Sequence, residues 1–233
     1  AKVLHKSGKT LDQINYIISG DLLNQCIASS FGLREAEVPF IGIYGACSTM
    51  AESLIIGAML IDGGFADNII CITSSHFCSA EKQFRFPLEL GSQRPPTAQW
   101  TVTGSGGLLI SGEGAGPNIT YLTAGKIVDL GIKDANNMGA AMAPAAADTI
   151  MEHFKDTGLS PGYYDLIVTG DLGVLGKSIC EDMLKDEGYD ISGRYNDCGL
   201  MIFDREKQDV HAGGSGCACC AAVLAGYLYQ EIV

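Results

Sequence analysis

Cys47 is the residue of this 233-residue chain whose type and position suggest chemistry most directly. It follows an apolar run, Phe40 to Tyr44, and precedes Met50 to Ile61, whose apolar spacing is helical. A sulfur at such a strand-to-helix junction lies near main-chain N–H groups without helical partners, which lower a thiol pKa and favour anions. With Ser48 and Thr49 beside it, Cys47 reads as a reactive or anion-binding group; the competing reading is a small residue chosen for a tight turn. A second glycine-rich junction, Gly214-Ser215-Gly216, leads into Cys217 and the apolar stretch Ala221 to Tyr229. If the two junctions approach one another, their N–H groups form a two-sided anion site.

Other side chains could serve that centre. His211, three residues before Gly214, could take a proton from the Cys47 thiol, although a loop histidine is more often merely solvated. His76 lies just past the strand Asn68 to Thr73, at the end of the sheet where α/β proteins place ligands. Arg85 and Arg94, with Lys82, are the cations of the long polar segment 76–103. A guanidinium holds a carboxylate by two parallel hydrogen bonds, so either arginine could clamp an acidic ligand; pairing with Glu81 or Glu89 at the surface is the plainer reading. Cys217, Cys219 and Cys220 are spaced too tightly for paired C-x-x-C zinc loops, so no metal is expected and they read as small packing residues. Gly104-Ser105-Gly106-Gly107 precedes a strand rather than a helix, which argues against a nucleotide site. His5 and His153 are assigned no role.

The elements that must position these groups follow from periodicity. Asn15 to Ser19 reads as a strand, Leu22 to Phe31 as a helix, and Asn68 to Thr73 and Gly107 to Ser111 as two further strands. Ile119 to Ile132 reads as another strand region, and Met142 to Phe154, with its Ala-Pro-Ala-Ala-Ala stretch at 143–147, as a helix. Tyr164 to Leu172 then repeats the sense of Tyr16 to Leu22: apolar strand, hydroxyl residue, Gly, Asp, Leu. The Gly214 junction echoes the Cys47 junction, and Gly57 and Gly226 fall at matching helical places. The chain therefore reads as a duplicated α/β unit, residues 1–117 and 118–233, with the second copy two core strands short of the first.

Composition bounds the alternatives. A content of 47% hydrophobic and 18% charged residues supports a packed core rather than disorder, and a formal charge of −12 without a basic stripe excludes nucleic acid as a partner. The longest apolar runs are about half of a bilayer span, and the charged opening, Ala1 to Lys9, lacks the pattern of an export signal. A cytosolic setting is expected. Nine cysteines, several inside apolar runs, argue against a disulfide framework.

A duplicated unit with a cysteine at the first strand-helix junction resembles the thiolase superfamily. Five motifs in order make the resemblance more specific: Gly-Asp-Leu-Leu-Asn-Gln at 20–25, Tyr-Gly-Ala-Cys-Ser-Thr at 44–49, Glu-Lys-Gln-Phe-Arg-Phe-Pro at 81–87, Ala-Met-Ala-Pro-Ala-Ala-Ala-Asp-Thr at 141–149 and Ala-Gly-Gly-Ser-Gly-Cys-Ala-Cys at 212–219. Together they are similar to the stage V sporulation protein AD family. The resemblance implies an α-β-α-β-α layered fold lacking its outermost N- and C-terminal segments, both halves being incomplete at those ends. It further implies binding of dipicolinate (pyridine-2,6-dicarboxylate) during its uptake into the developing spore, with no cofactor. The implied partners are membrane-embedded proteins of the same operon, at the periphery of the forespore membrane, and a homodimer is compatible with it. Cys47 matches the superfamily's nucleophile position, whereas Ala212 stands where thiolases keep the proline of a Gly-His-Pro motif around the histidine. Two functions are therefore carried forward. The first is a dipicolinate binder using Cys47, Ser48, Thr49, Gly214, Ser215 and Gly216 with an arginine as counter-charge. The second is an acyltransferase in which Cys47 is acylated from a coenzyme A thioester and His211 activates it.

Overall fold

The structure, a computed structural model, describes residues 2–84 and 94–233. They form two compact units: residues 1–88, 101–120 and 216–233 make the first, and 89–100 with 121–215 the second. This grouping by contact cuts across the sequence copies, because residues 216–233 pack with the first unit and 89–100 with the second.

The first unit is built on a four-stranded sheet of order β2-β1-β3-β5, with β1 at Tyr16–Asp21, β2 at Phe40–Gly42, β3 at Asn68–Ser75 and β5 at Gly104–Ser111. The short strand β4, Trp100–Thr101, precedes β5. β1 pairs parallel with β2 (Ile17 opposite Phe40) and β3 (Ile18 opposite Cys71), and β3 pairs antiparallel with β5 (Cys71 opposite Leu108). Alternation in these β-branched runs sends residues to opposite faces. Ile17 and Ile70 pack with Val3 and Leu4 of α1 (Lys2–Ser7) and Leu33 of α2 (Ile27–Leu33). Ile18, Ile69 and Cys71 pack on the other face with Met50 of α3 (Thr49–Asp62). Gly57 is what lets α3 lie so close, since a Cβ there would stand 2.6 Å from Ile110 Cδ1. Helix α4 (Phe77–Phe84) occupies the start of the long segment expected to be a loop.

The helix after β1 starts later than its apolar spacing predicts, at Ile27 instead of Leu22. Asp21, buried at the end of β1, accepts hydrogen bonds from Leu23 N (2.8 Å) and Ser29 N (2.7 Å). It thereby holds residues 22–26 in a turn, and Cys26 enters α2 in the left-handed region at φ 59°.

In the second unit α5 (Met138–Thr157) begins a turn before the predicted helix, capped by Asn137, whose Oδ1 accepts from Ala140 N at 3.2 Å. It packs on α6 (Gly173–Asp186) backbone to backbone: a Cβ on Gly176 would lie 2.7 Å from Gly139 O. Phe154, Leu184, Ile191 and Tyr195 fill the core behind them. β6 (Ile167–Thr169) pairs parallel with β7 (Tyr195–Asp197), as β1 does with β2. α7 (Cys198–Met201) and β8 (Gly214–Ser215) follow. Back in the first unit, the helical run α8 (Cys217–Val223) passes through a π-turn at Leu224–Leu228 into α9 (Tyr229–Ile232).

Two expectations are corrected. Residues 119–132 carry a strand-like composition but form no strand, because no described strand pairs with them; Ile127 is 98% exposed. Gly226 does not repeat the role of Gly57, for it sits in the π-turn with nothing within 4 Å of where its Cβ would be.

Candidate functional site

In the first unit the strand-helix junction is a sharp elbow. Ala46 takes φ 50°, the left-handed region that costs an L-residue about 1–2 kcal/mol, and Ala46–Ser48 form a 3-10 turn that runs directly into α3. Cys47 is half-buried in that turn. The elbow is pinned through the Ala46 carbonyl, which accepts from Thr49 Oγ1 (2.6 Å) and from the Cys217 thiol (2.9 Å). Ser48 Oγ donates to Gly45 O at 2.7 Å. The Glu52 carboxylate lies over Gly45, where a Cβ would meet its Oε2 at 2.3 Å, so a negative charge already occupies the first turn of α3.

The Cys217 contact means that the start of α8 meets the Cys47 turn, as the duplication predicts. It also joins that turn to a cavity of about 570 Å³ at the carboxyl ends of β1 and β3, lined by Leu22, Leu23, Ser75, His76, Cys78 and Thr103 among others. Leu22, Ala80 and Cys217 form one buried apolar cluster. Ser75 Oγ donates to Val102 O (2.6 Å) and accepts from Ala218 N (3.0 Å), while Thr73 Oγ1 donates to Cys217 O (3.0 Å). Gly216, at φ 96°, must be glycine here: a Cβ would come within 3.0 Å of Ser75 Oγ and 3.2 Å of Leu22.

The local field is acidic. Burial pushes the Tyr44 hydroxyl pKa up, and the nearby Cys217, Asp21 and Cys26 add to the shift. Burial likewise raises Cys26, with a hydrogen bond from the Asp21 main chain opposing and the charges of Asp21 and Glu52 reinforcing the rise.

The second unit holds Arg94, His211, Gly214 and Ser215. Arg94 stacks over Trp100 (4.4 Å to the ring centroid), and its Nη2 donates to Asp209 Oδ2 at 2.7 Å, so its charge is met within the unit. His211, at φ 48°, sets Nδ1 2.8 Å from Pro95 O and Nε2 2.9 Å from Asp209 Oδ1, leaving neither ring nitrogen free. Gln99 Nε2 donates to Asp171 O (2.6 Å) and Gly214 O (2.9 Å), and Ser215 is buried. Arg85 lies outside the described residues, as does the side chain of Lys82. Among the described residues no group of three or more His, Cys, Asp or Glu could hold a metal ion.

The predicted Cys47, Ser48, Thr49 and Gly216 thus share one unit with His76, and Cys217 is the joint between the elbow and the cavity. From the sequence the thiol of Cys217 reads as a packing group rather than a zinc ligand, and its place directly after the glycine junction is the signal that brings the start of its helix toward the first junction.

This fold is that of the thiolase-like condensing enzymes. Solved structures similar to the chain include AbyA1, a tetronic acid condensing enzyme (TM-score 0.66, 15% identity, covering 99% of this chain and 72% of that one). A 3-oxoacyl-[acyl-carrier-protein] synthase III from Aquifex aeolicus VF5 matches with TM-score 0.61 and 12% identity over 99% of this chain and 73% of that one. Xanthomonas campestris OleA with bound lauric acid and lauroyl-CoA matches with TM-score 0.65 and 12% identity over 99% and 72%. The chain belongs to the stage V sporulation protein AD family, whose model matches residues 1–233. It is 47% identical over 229 residues to stage V sporulation protein AD of Bacillus subtilis (strain 168), covering 98% of this chain and 68% of that relative.

Proposed function

We propose that the protein binds pyridine-2,6-dicarboxylate and serves its uptake into the developing spore, beside membrane-embedded partners, without transferring an acyl group. The observation that carries this reading is the cavity of about 570 Å³ beside His76 in the first unit, which the buried cluster of Leu22, Ala80 and Cys217 links to the Cys47 elbow. Its size suits a planar ring with two carboxylates. His76 and the first turn of α4, where the N–H groups of Cys78 and Ser79 begin the helix, offer donors to one carboxylate. Leu22 and Leu23 offer an apolar wall to the ring. No helix among the described residues is long and apolar enough to cross a membrane, in keeping with a role at the membrane's periphery. Acyl transfer would need a base for Cys47, and both nitrogens of His211 are already engaged.

The test is calorimetric titration of the purified protein with dipicolinate and, separately, with acetyl-coenzyme A. Saturable binding of the first and no consumption of the second is expected; acylation of Cys47 by the thioester would establish the enzyme reading instead. His76→Leu is expected to weaken dipicolinate binding about tenfold, the loss of one charge-assisted hydrogen bond. Glu52→Gln should strengthen it severalfold, because it removes a carboxylate that repels the dianion from the start of α3. Cys47→Ala should change affinity only modestly, whereas a covalent mechanism would lose turnover almost completely.

A further inference from the structure

In the second unit Arg94 and His211 converge on one carboxylate, that of Asp209. Arg94 Nη2 lies 2.7 Å from Asp209 Oδ2 and His211 Nε2 lies 2.9 Å from Asp209 Oδ1, so the two oxygens bridge the two side chains. The other ring nitrogen, Nδ1, faces Pro95 O at 2.8 Å. A carbonyl and a carboxylate can only accept, so the ring must donate from both nitrogens, as the imidazolium does. Two cations therefore share one anion. The Arg94 side chain is 11% exposed and that of His211 28%, whereas that of Asp209 is 75% exposed. The cations lie deeper than the carboxylate that meets them.

Both cations are held by groups other than that carboxylate. Arg94 stacks over Trp100, 4.4 Å from the ring centroid, and its Nη2 also donates to the main-chain carbonyl of Asp209 at 3.2 Å. His211 is fixed through Pro95 O, and its own carbonyl accepts from Arg205 Nε at 3.1 Å. The turn that carries Asp209 is closed by its neighbours: Gln208 N donates to Asp204 O (2.8 Å), Asp204 N to Gln208 Oε1 (2.8 Å) and Gly213 N to Val210 O (3.0 Å). The Asp209 carboxylate can thus swing into water while the turn and both cations keep their places. Fixed donors of this kind are a preorganised receptor for a planar anion. The receptor is not saturated, for the buried Arg94 Nη1 has no hydrogen-bond partner among the described residues.

We propose that Arg94 and His211 form a binding site for a carboxylate ligand, which Asp209 fills in cis until such a ligand displaces it. Asp209 shows the pose: one oxygen on the guanidinium and one on the imidazolium, a span that a free planar carboxylate reproduces. Its tether gives Asp209 the advantage of a high effective concentration, so a simple monocarboxylate binds better once that side chain is removed. The site belongs to the second unit and does not depend on the dipicolinate reading of the cavity in the first.

The test is titration of the 233-residue protein with sodium acetate at constant ionic strength, read by the NMR shifts of the His211 ring protons. A saturable shift is expected in Asp209→Ala, with affinity about tenfold higher than in the wild type, where Asp209 must first be expelled. Asp209→Asn, which keeps one oxygen for Arg94 and the size of the side chain, should bind acetate with intermediate affinity and serves where the alanine variant does not fold. Adding Arg94→Gln to either variant should weaken acetate about tenfold, and Arg94→Lys, which keeps the charge without the fork, should weaken it less. Three results would each overturn the proposal: no saturable shift in either Asp209 variant, a shift that sodium chloride alone reproduces, or one that Arg94→Gln leaves unchanged. Acetate binding to the wild type as tightly as to Asp209→Ala would show that Asp209 does not fill the site, and would overturn it equally.

Discussion

Replacing Asp197 with alanine is expected to lower the free energy of unfolding by about 3–5 kcal/mol, because the change strands several buried donors at once. The carboxylate is fully buried and accepts from Thr169 Oγ1 (2.7 Å), Leu172 N (2.8 Å), Gly173 N (2.9 Å) and Gly199 N (3.0 Å). It therefore joins β6, the entry to α6 and the turn into α7. Alanine offers none of these groups a partner, and Gly173, at φ 67°, is held in a conformation that leaves its N–H little freedom to turn elsewhere. Denaturant unfolding would measure the loss, and hydrogen exchange should accelerate first at residues 172, 173 and 199. A midpoint shift worth less than about 1 kcal/mol would show that water replaces the carboxylate without penalty.

The same group has a pH signature. Burial is the largest influence on Asp197 and raises its pKa above the ordinary carboxylate value, with the four donors opposing. The folded protein thus holds this proton to higher pH than the unfolded chain. The group's contribution is full below the unfolded pKa and is lost as pH rises through the folded one. Asp190, lowered by Ser192, and Asp204, lowered by Lys207, act oppositely: their contributions are lost as pH falls through their folded values. Stability profiles of the wild type and Asp197→Asn should therefore converge on the acidic side and separate as pH rises above the carboxylate range.

What the sequence made legible is what periodicity and local turn chemistry decide. The strands of the first sheet, the α3 helix and the Cys47 junction all follow from apolar spacing within a few residues. What it left illegible depends on partners far along the chain. The start of α2 was displaced by the Asp21 side chain, which outcompetes apolar spacing by capturing Leu23 N and Ser29 N. Residues 119–132 have a strand's composition, yet composition cannot supply the neighbour that a strand needs. The pairing of Arg94 with Asp209 spans 115 positions, so a cation that looked available to a ligand is already matched. Cys217 reaches Ala46 across 171 positions, and only the echo between the two glycine junctions hints at it.

The helix that makes that contact also makes Gly106 a sensitive residue of the first unit. Gly106→Val is expected to cost at least about 3 kcal/mol and to loosen the Cys47 elbow as well. β5 crosses α8 at Gly106, where a Cβ would stand 2.2 Å from Ala221 O, 2.3 Å from Ala221 C and 2.8 Å from Ala221 Cβ. Two of these are backbone atoms of a helix, so no rotamer change can make room; either β5 leaves Thr73, its register partner, or α8 moves off the sheet. Thr73 Oγ1 and Ser75 Oγ hold the first residues of α8, and Cys217 at its start holds the Ala46 carbonyl, so displacement should propagate to Cys47. The buried Cys217 thiol should then become open to alkylation in native buffer, which mass spectrometry of the labelled peptide would detect. Gly32→Ala is the control: it lies in α2 with nothing within 4 Å of the new Cβ, so a gain of up to about 1 kcal/mol from lower unfolded-state entropy is expected there. A Gly106→Val protein that unfolds at the wild-type midpoint with Cys217 still protected would mean that α8 does not rest on β5 as described, and the link from the sheet through α8 to the elbow would fall with it.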